Sequence, residues 1–89
     1  MLTGQLKAEI ECFYGIPKSY SKKKKEDALK GYLRPTKKPD IDNITKIILD
    51  ALNGMAYPDD KNIVSCLVDK WFDETPRVEV MLYVVGGGS

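Results

Sequence analysis

The chain has 89 residues, of which 43% are hydrophobic and 30% charged, with a formal net charge of +1; this suits one small globular domain. It contains no histidine, which argues against a zinc site of the usual kind, so any metal would be held by oxygen ligands, as magnesium and manganese are. No apolar run approaches the ~18 residues of a transmembrane helix and no signal-peptide pattern follows Met1, so we expect a soluble intracellular protein.

The charges are unevenly distributed along the chain. Residues 18–38 carry nine basic and two acidic side chains, a charge of +7, so the total of +1 leaves −6 for the rest. A basic segment beside an acidic region indicates a polyanionic partner, because the acids alone would repel it.

The first predicted element is a strand over residues 6–13, where apolar and polar side chains alternate. Gly15 and Pro17 are expected to end it. Cys12 and Cys66 lie far apart without metal-type spacing and are expected to be small buried side chains. The apolar positions of the strand are Leu6, Ala8, Ile10 and Cys12.

A short helix is predicted over residues 22–30, with Ser21 as its N-cap and Gly31 as its C-terminal stop. A mobile loop is the alternative, because lysines crowd the first turn and the helix dipole disfavours cations there. Pro35 and Pro39 are expected to keep residues 34–38 extended.

A longer helix is predicted to start near Asp42 or Asn43, either of which is a good N-cap, and to end at Gly54. Its apolar residues recur with the spacing of a helix that packs on a core. They are Ile44, Ile47, Ile48, Ala51, Leu52 and Met55.

The last third of the chain reads as a turn followed by two strands. Residues 57–60 predict a tight turn, residues 62–72 and 77–85 predict strands, and residues 73–76 predict a hairpin loop between them. Residues 86–89 are typical of a flexible Gly/Ser linker or tag remnant, which leaves a single domain over residues 1–85.

This order of elements predicts an α+β, or mixed α/β, fold: a small three-stranded mixed sheet with one main helix packed on one face. The helical crossover allows the first two strands to be parallel, and the hairpin would add an antiparallel pair. The other sheet face is partly apolar, and a second subunit is a candidate to cover it. Its apolar residues are Phe13, Leu67, Trp71, Met81 and Tyr83.

Four aspartates flank the main helix. Asp40 and Asp42 stand where it begins, and their carboxylates can converge at an extended-to-helix junction, where the helix amides favour anions. Asp59 and Asp60 follow its end, roughly 16 Å away along the helix, so the next strand must run back alongside for Asp60 to approach Asp40. The set predicts a magnesium site; the alternatives are an N-cap for Asp42, a solvated loop acid for Asp40, and ordinary turn chemistry for Asp59 and Asp60.

Lys46 is four residues after Asp42 and therefore lies over the same helix face. It is either a cation beside the metal-binding acids or one half of an exposed ion pair of little energetic weight. A calcium-binding EF-hand is excluded for residues 40–43, because the required glycine and terminal glutamate are absent at the right offsets.

Several runs of this sequence resemble the signature of the RusA family of Holliday-junction resolvases, and the similarity extends from about residue 6 to residue 84. Family members usually begin with another strand and helix before the strand at Leu6, and we expect this chain to lack both. The matching residues are Lys38-Pro39-Asp40-Ile41-Asp42-Asn43-Ile44, Lys46, Leu49-Asp50-Ala51-Leu52-Asn53-Gly54, Tyr57-Pro58-Asp59-Asp60, Ile63-Val64 and Lys70.

The resemblance implies a cytoplasmic, bacterial or phage-encoded homodimer that binds four-way DNA junctions and nicks two strands symmetrically. It implies Mg²⁺, with Mn²⁺ as a substitute, held by the catalytic acids Asp40, Asp42 and Asp60. Lys46 would be the essential cation, and the role of Asp59 stays open.

In this mechanism the bound metal polarises the scissile phosphate and activates a water, while Lys46 stabilises the developing negative charge. The alternatives are a non-catalytic DNA-binding or assembly module and a different magnesium nuclease acting on RNA or flaps. Basic side chains are expected to bind the DNA backbone with an affinity that falls as salt rises. They are Lys22, Lys23, Lys24, Lys25, Arg34, Lys37 and Lys38.

Overall fold

The structure, a computed structural model, describes residues 2–86, so the predicted linker lies outside the described residues except for Gly86. It confirms the predicted α+β fold with a three-stranded mixed sheet, and it contains two helices. No helix within residues 2–86 has the length and apolar character needed to cross a membrane. The elements are β1 (Leu6–Gly15), α1 (Lys22–Leu29), α2 (Ile41–Leu52), a 3₁₀ turn (Asp60–Asn62), β2 (Ile63–Asp73) and β3 (Arg77–Val84).

The strands lie in the order β2-β1-β3, so β1 is central, parallel to β2 and antiparallel to β3. The predicted parallel pair is confirmed, whereas the predicted β2–β3 hairpin pair is wrong. The link between β2 and β3 crosses the end of β1 instead, and Gly15 leaves room for it: a Cβ there would lie 3.3 Å from Cγ of Pro76. The physical reason is burial, since the strand with the most deeply buried alternation takes the centre of the sheet.

The core is built on the predicted apolar face of β1. Leu6, Ala8 and Ile10 are completely buried, and Cys12 is nearly so; this burial raises the pKa of the Cys12 thiol. Ile44 of α2 packs directly against Ile10 and Cys12. Partly buried residues complete the cluster: Tyr14, Ile48, Val68 and Val80.

The apolar stripe of α2 is only partly covered, which corrects the prediction that all of it packs on the core. Ile44 is 4% exposed, but Ile47 is 63% and Met55 77% exposed, and Ala51 is also exposed. The helix meets the sheet through Ile44 and its neighbours, and no element within residues 2–86 covers the other side of the stripe. We call Ile47 and Ala51 the α2 flank; beside it lies an apolar groove of about 160 Å³, lined by Cys12, Pro39, Ile44, Ile47, Ile48 and Val78.

The predicted burial of Cys66 is also wrong, because this cysteine is exposed. It lies in the first half of β2, where Val64 is exposed as well. β2 is an edge strand. Its first half is exposed, whereas Phe72 near its other end is buried.

Helix α1 forms as predicted, rather than the alternative mobile loop. Oγ of Ser21 accepts a hydrogen bond from the Lys24 amide at 3.2 Å, and Gly31 adopts φ +83° just after the helix. The segment that follows is anchored to β2 by Arg34, whose guanidinium lies 3.6 Å from the centroid of the Trp71 ring. The same side chain pairs with Asp69 at 3.1 Å and donates to the Lys70 carbonyl.

Candidate active site

The first part of the site is the start of α2. Asp40 is the N-cap, and not Asp42 or Asn43 as predicted: its backbone is extended (φ −70°, ψ 158°) and its carbonyl oxygen accepts from the Ile44 amide at 3.0 Å. Its carboxylate caps no helix amide. Asp42 lies in the first turn, and both acids are exposed. The carboxylate of Asp40 is therefore available to a ligand, at a helix end that favours negative charge.

Two lysines and a tyrosine lie near the N-terminal end of α2, where Asp40 stands. The Tyr14 hydroxyl donates to the Pro39 carbonyl at 3.3 Å. Burial chiefly, and then the nearby Cys12 and Asp40, raise the pKa of Tyr14. The ammonium groups of Lys37 and Lys70 lie 5.7 and 5.5 Å from its ring centroid, and Lys70 donates to the Lys37 carbonyl at 2.7 Å.

Sequence reasoning gave Tyr14 only an unspecific role: with Tyr20 and Tyr32 it flanks the lysine run, which suits phosphate and base contacts. Lys70 entered only as part of the family resemblance, although it also interrupts an otherwise apolar strand face. That position of Lys70 was the signal that the sequence offered, because a charged side chain on an apolar face must reach either solvent or a polar partner.

The second part of the site is the turn that follows α2. Tyr57 is completely buried, and its hydroxyl lies 2.9 Å from the Leu49 carbonyl oxygen and 3.1 Å from Oδ1 of Asp60. Burial, followed by the hydrogen bond to Asp60, raises the pKa of Tyr57 to about 12. The neutral hydroxyl therefore shares its one proton between the two acceptors and ties Asp60 to α2.

Asp59 has a local role. Its Oδ1 accepts from the Lys61 amide at 3.1 Å, which caps the 3₁₀ turn that begins at Asp60. This matches the turn chemistry that the sequence left open as one alternative.

The predicted acids are distributed along α2. Tyr57 ties Asp60 to the Leu49 carbonyl. Leu49 is nine positions after Asp40, and at 1.5 Å per residue this is a rise of about 14 Å. Within residues 2–86 no three acidic or cysteine side chains are grouped so that they could hold one metal ion. The single chain thus does not bring Asp40, Asp42 and Asp60 into one site.

Lys46 occupies the helix face between the two parts of the site. Asp42, Lys46 and Leu49 are spaced i, i+4 and i+7 and lie on one side of α2. Lys46 is exposed, and no ion pair among the described residues involves Lys46, Asp40 or Asp42.

The donor chemistry at the start of α2 suits magnesium. Mg²⁺ prefers oxygen ligands and is often bound through one or two carboxylates together with waters and substrate phosphates. Asp40 and Asp42, both exposed and without ion pairs, can supply the two carboxylates.

The predicted DNA-binding side chains fall into two groups. Arg34 is engaged with Trp71 and Asp69 and acts as a packing residue, as described above. The others are exposed, although Lys23 pairs with Asp27 at 3.4 Å and the ammonium of Lys24 lies 4.1 Å from the centroid of the Tyr20 ring. The exposed ones are Lys22, Lys23, Lys24, Lys25, Lys37 and Lys38.

Comparison with known proteins identifies the family whose model this chain matches. The family model described as Endodeoxyribonuclease RusA matches residues 1–83. The Bacillus subtilis (strain 168) protein YqaN, described as an uncharacterized protein, is 49% identical over 84 residues. That match covers 92% of this chain and 59% of YqaN, so the chain spans about three fifths of the length of this curated relative. No solved structure matches the chain.

Proposed function

This chain belongs to the RusA endodeoxyribonuclease family, and we propose that it is a magnesium-dependent endodeoxyribonuclease that resolves four-way DNA junctions. The observation that carries the proposal is the free carboxylate of Asp40 beside Asp42 at the start of α2. The carboxylate of an N-cap aspartate usually accepts a hydrogen bond from a helix amide, and that of Asp40 does not.

Asp40 and Asp42 are the proposed magnesium ligands. When bound there, the ion supplies Lewis-acid chemistry at a phosphate and lowers the pKa of a bound water. Lys46 lies one turn along the same helix face and forms no ion pair within residues 2–86. It would stabilise negative charge on the phosphate.

The cations near the N-terminal end of α2 would bind the DNA backbone. Lys37 and Lys70 lie beside Tyr14 at that end, and the exposed lysines of α1 extend the positive charge. Without them the aspartates would repel the DNA backbone. Each phosphate contact should contribute about −0.9 to the slope of log affinity against log salt.

Asp60 enters the site through a homodimer in this proposal. The α2 flank and the apolar groove beside it are exposed, and a second copy would cover them. A twofold axis across the middle of α2 makes the two helices antiparallel. The Asp60 end of one copy would then lie near the Asp40 end of the other, so one arrangement accounts for both the exposed flank and the separated acids.

The test is cleavage of an end-labelled four-way junction in Mg²⁺, with linear duplex and an RNA junction as comparisons. Asp40→Asn should slow nicking roughly 100-fold or more, because metal stabilisation of the transition state amounts to several kcal/mol. Junction binding measured in EDTA should change little.

Asp50→Asn is the matched control, since Asp50 is an exposed aspartate on the same helix that is not a proposed metal ligand, and it should cut at the wild-type rate. The proposal fails if the wild-type chain does not nick the junction in Mg²⁺ at a concentration where it binds it. It fails for Asp40 if the Asp40→Asn variant retains wild-type cleavage.

A further inference from the structure

The segment between α1 and α2 encloses a pocket of about 280 Å³ against the end of β2. The residues that line it include three cations and two aromatic rings, and no acid is among them. Ligand pockets for small molecules usually span roughly 300–1,000 Å³, so this one suits a single small unit. The residues that matter here are Tyr20, Lys24, Arg34, Thr36, Lys37 and Phe72.

The two aromatic rings of the pocket contact each other. The rings of Tyr20 and Phe72 meet edge to face, with centroids 5.9 Å apart and an interplanar angle of 74°. Phe72 is buried, so it fixes the orientation of the half-buried Tyr20. A fixed aromatic ring in a concave site is a stacking surface for a nucleobase.

Two cations of the pocket are available to an anion. Lys24 and Lys37 form no ion pair with any residue between 2 and 86, and the Lys24 ammonium stands 4.1 Å from the Tyr20 centroid. Arg34 instead shapes the wall, because its charge is paired with Asp69. Unpaired positive charge next to an aromatic ring is the chemistry that binds a nucleotide.

We propose that this pocket, the Tyr20 pocket, binds one unpaired nucleotide of a DNA strand, with the base against Tyr20 and the phosphate at Lys24 and Lys37. A paired base is enclosed in its stack and must leave the duplex to enter a concave pocket. The pocket would thus select DNA with an unpaired or easily unpaired nucleotide, as at a branch point.

This proposal rests on the proposed function, because it names the feature of branched DNA that the nuclease reads. Lys37 precedes Asp40 by three residues, which span at most about 10 Å of chain. A nucleotide in the Tyr20 pocket would therefore lie near the strand presented to Asp40 and Asp42.

The experiment is an abasic scan of a four-way junction, with affinity measured by fluorescence anisotropy in EDTA so that no cleavage occurs. Removing the one base that enters the pocket should weaken wild-type binding about five- to a hundredfold. Tyr20→Ala should weaken binding to the intact junction by a similar factor and should be insensitive to the same abasic site, as expected of a coupled pair in a double-mutant cycle.

Two further variants separate stacking from folding. Tyr20→Phe keeps the ring and its contact with Phe72, so it should bind and respond to the abasic site like the wild type. Tyr32→Ala removes an aromatic side chain that is 80% exposed and outside the pocket, so it should change nothing. The abasic scan on the wild type needs no variant and remains decisive if Tyr20→Ala does not fold.

The outcomes distinguish this proposal from the proposed function. If the wild type binds and nicks the junction but no abasic position alters its affinity, the Tyr20 pocket proposal is overturned and the nuclease proposal stands. If it neither binds nor nicks junctions, yet binds a short single-stranded DNA in a Tyr20-dependent way, the nuclease proposal falls and the pocket stands. Tyr20-dependent binding that is tighter for RNA of the same sequence overturns the assignment to DNA.

Discussion

Tyr57 connects the turn after α2 to the helix itself. Its ring is completely buried, and its single hydroxyl proton is shared between the Leu49 carbonyl and Asp60. We interpret Tyr57 as a positioning residue for Asp60, since it holds the carboxylate at a set place along α2.

Tyr57→Phe should destabilise the protein by about 1–2 kcal/mol, because the ring still packs but the two acceptors lose their donor. The effect should depend on pH. The folded protein keeps this proton up to a pKa of about 12, whereas an unfolded tyrosine loses it near pH 10. Wild-type stability should therefore decrease as pH rises from about 10 towards 12.

Urea unfolding at pH 8 and at pH 11 checks this prediction. The stability difference between wild type and Tyr57→Phe should shrink at the higher pH. Tyr32→Phe, at an exposed position, should match the wild type at both. A difference that stays constant with pH would contradict the assigned pKa.

At the scale of elements, the attachment of α1 to β2 depends on a glycine. Gly31 adopts φ +83°, and a Cβ there would lie 3.2 Å from Cζ3 of Trp71. The guanidinium of Arg34 in turn packs on the Trp71 ring. The close approach of the chain to this ring places the Tyr20 pocket against the end of β2.

Gly31→Ala and Gly54→Ala form a matched pair that isolates this contact. Both glycines have φ near +80°, so each alanine should cost about 1–2 kcal/mol in backbone strain. Only Gly31 has a neighbour within 4 Å, because a Cβ at Gly54 would meet open space. Gly31→Ala should therefore lose a further 1–3 kcal/mol or so through overpacking against Trp71.

Urea unfolding followed by the fluorescence of Trp71, the only tryptophan of the chain, measures both losses. The native-state emission should shift in the Gly31 variant and stay unchanged in the Gly54 variant. Equal losses in the two variants would show that the Trp71 contact contributes nothing.

At the scale of the whole molecule, the proposed metal-binding acids lie at opposite ends of α2. One chain keeps them about 14 Å apart along the helix, and the α2 flank lies exposed between them. The proposed antiparallel dimer would form each site from Asp40 and Asp42 of one copy and Asp60 of the other.

Mixing two inactive variants tests this arrangement. Asp40→Asn and Asp60→Asn should each be inactive alone. When they are co-expressed, the mixed dimer should contain one intact site and recover single-strand nicking of the junction, up to about half of the wild-type rate for the mixed species.

The controls are the double variant Asp40→Asn/Asp60→Asn mixed with the wild type, and sedimentation to verify dimers. If the dimers exchange but the two single variants recover no nicking, the acids of each site come from one chain. The shared-site arrangement is then wrong, although wild-type cleavage would still support the proposed function.

The sequence alone determined the elements whose causes are local. Alternation placed β1 and its buried face, the Ser21 cap and Gly31 bounded α1, and Gly54 ended α2, because each depends on residues within a few positions of one another. The residues that carry the family resemblance were equally visible, which is why Asp40, Asp42 and Asp60 could be named before any coordinates.

Only the tertiary structure decided the features that depend on contacts between distant parts of the chain. It placed β3 beside β1 rather than beside β2, and it left Ile47 exposed. It packed Arg34 on Trp71. It also left the Asp40 carboxylate free, while Tyr57 binds Asp60 at the other end of α2. Neighbouring strands and covering elements are chosen by the summed burial of the whole molecule, and no local pattern contains that sum.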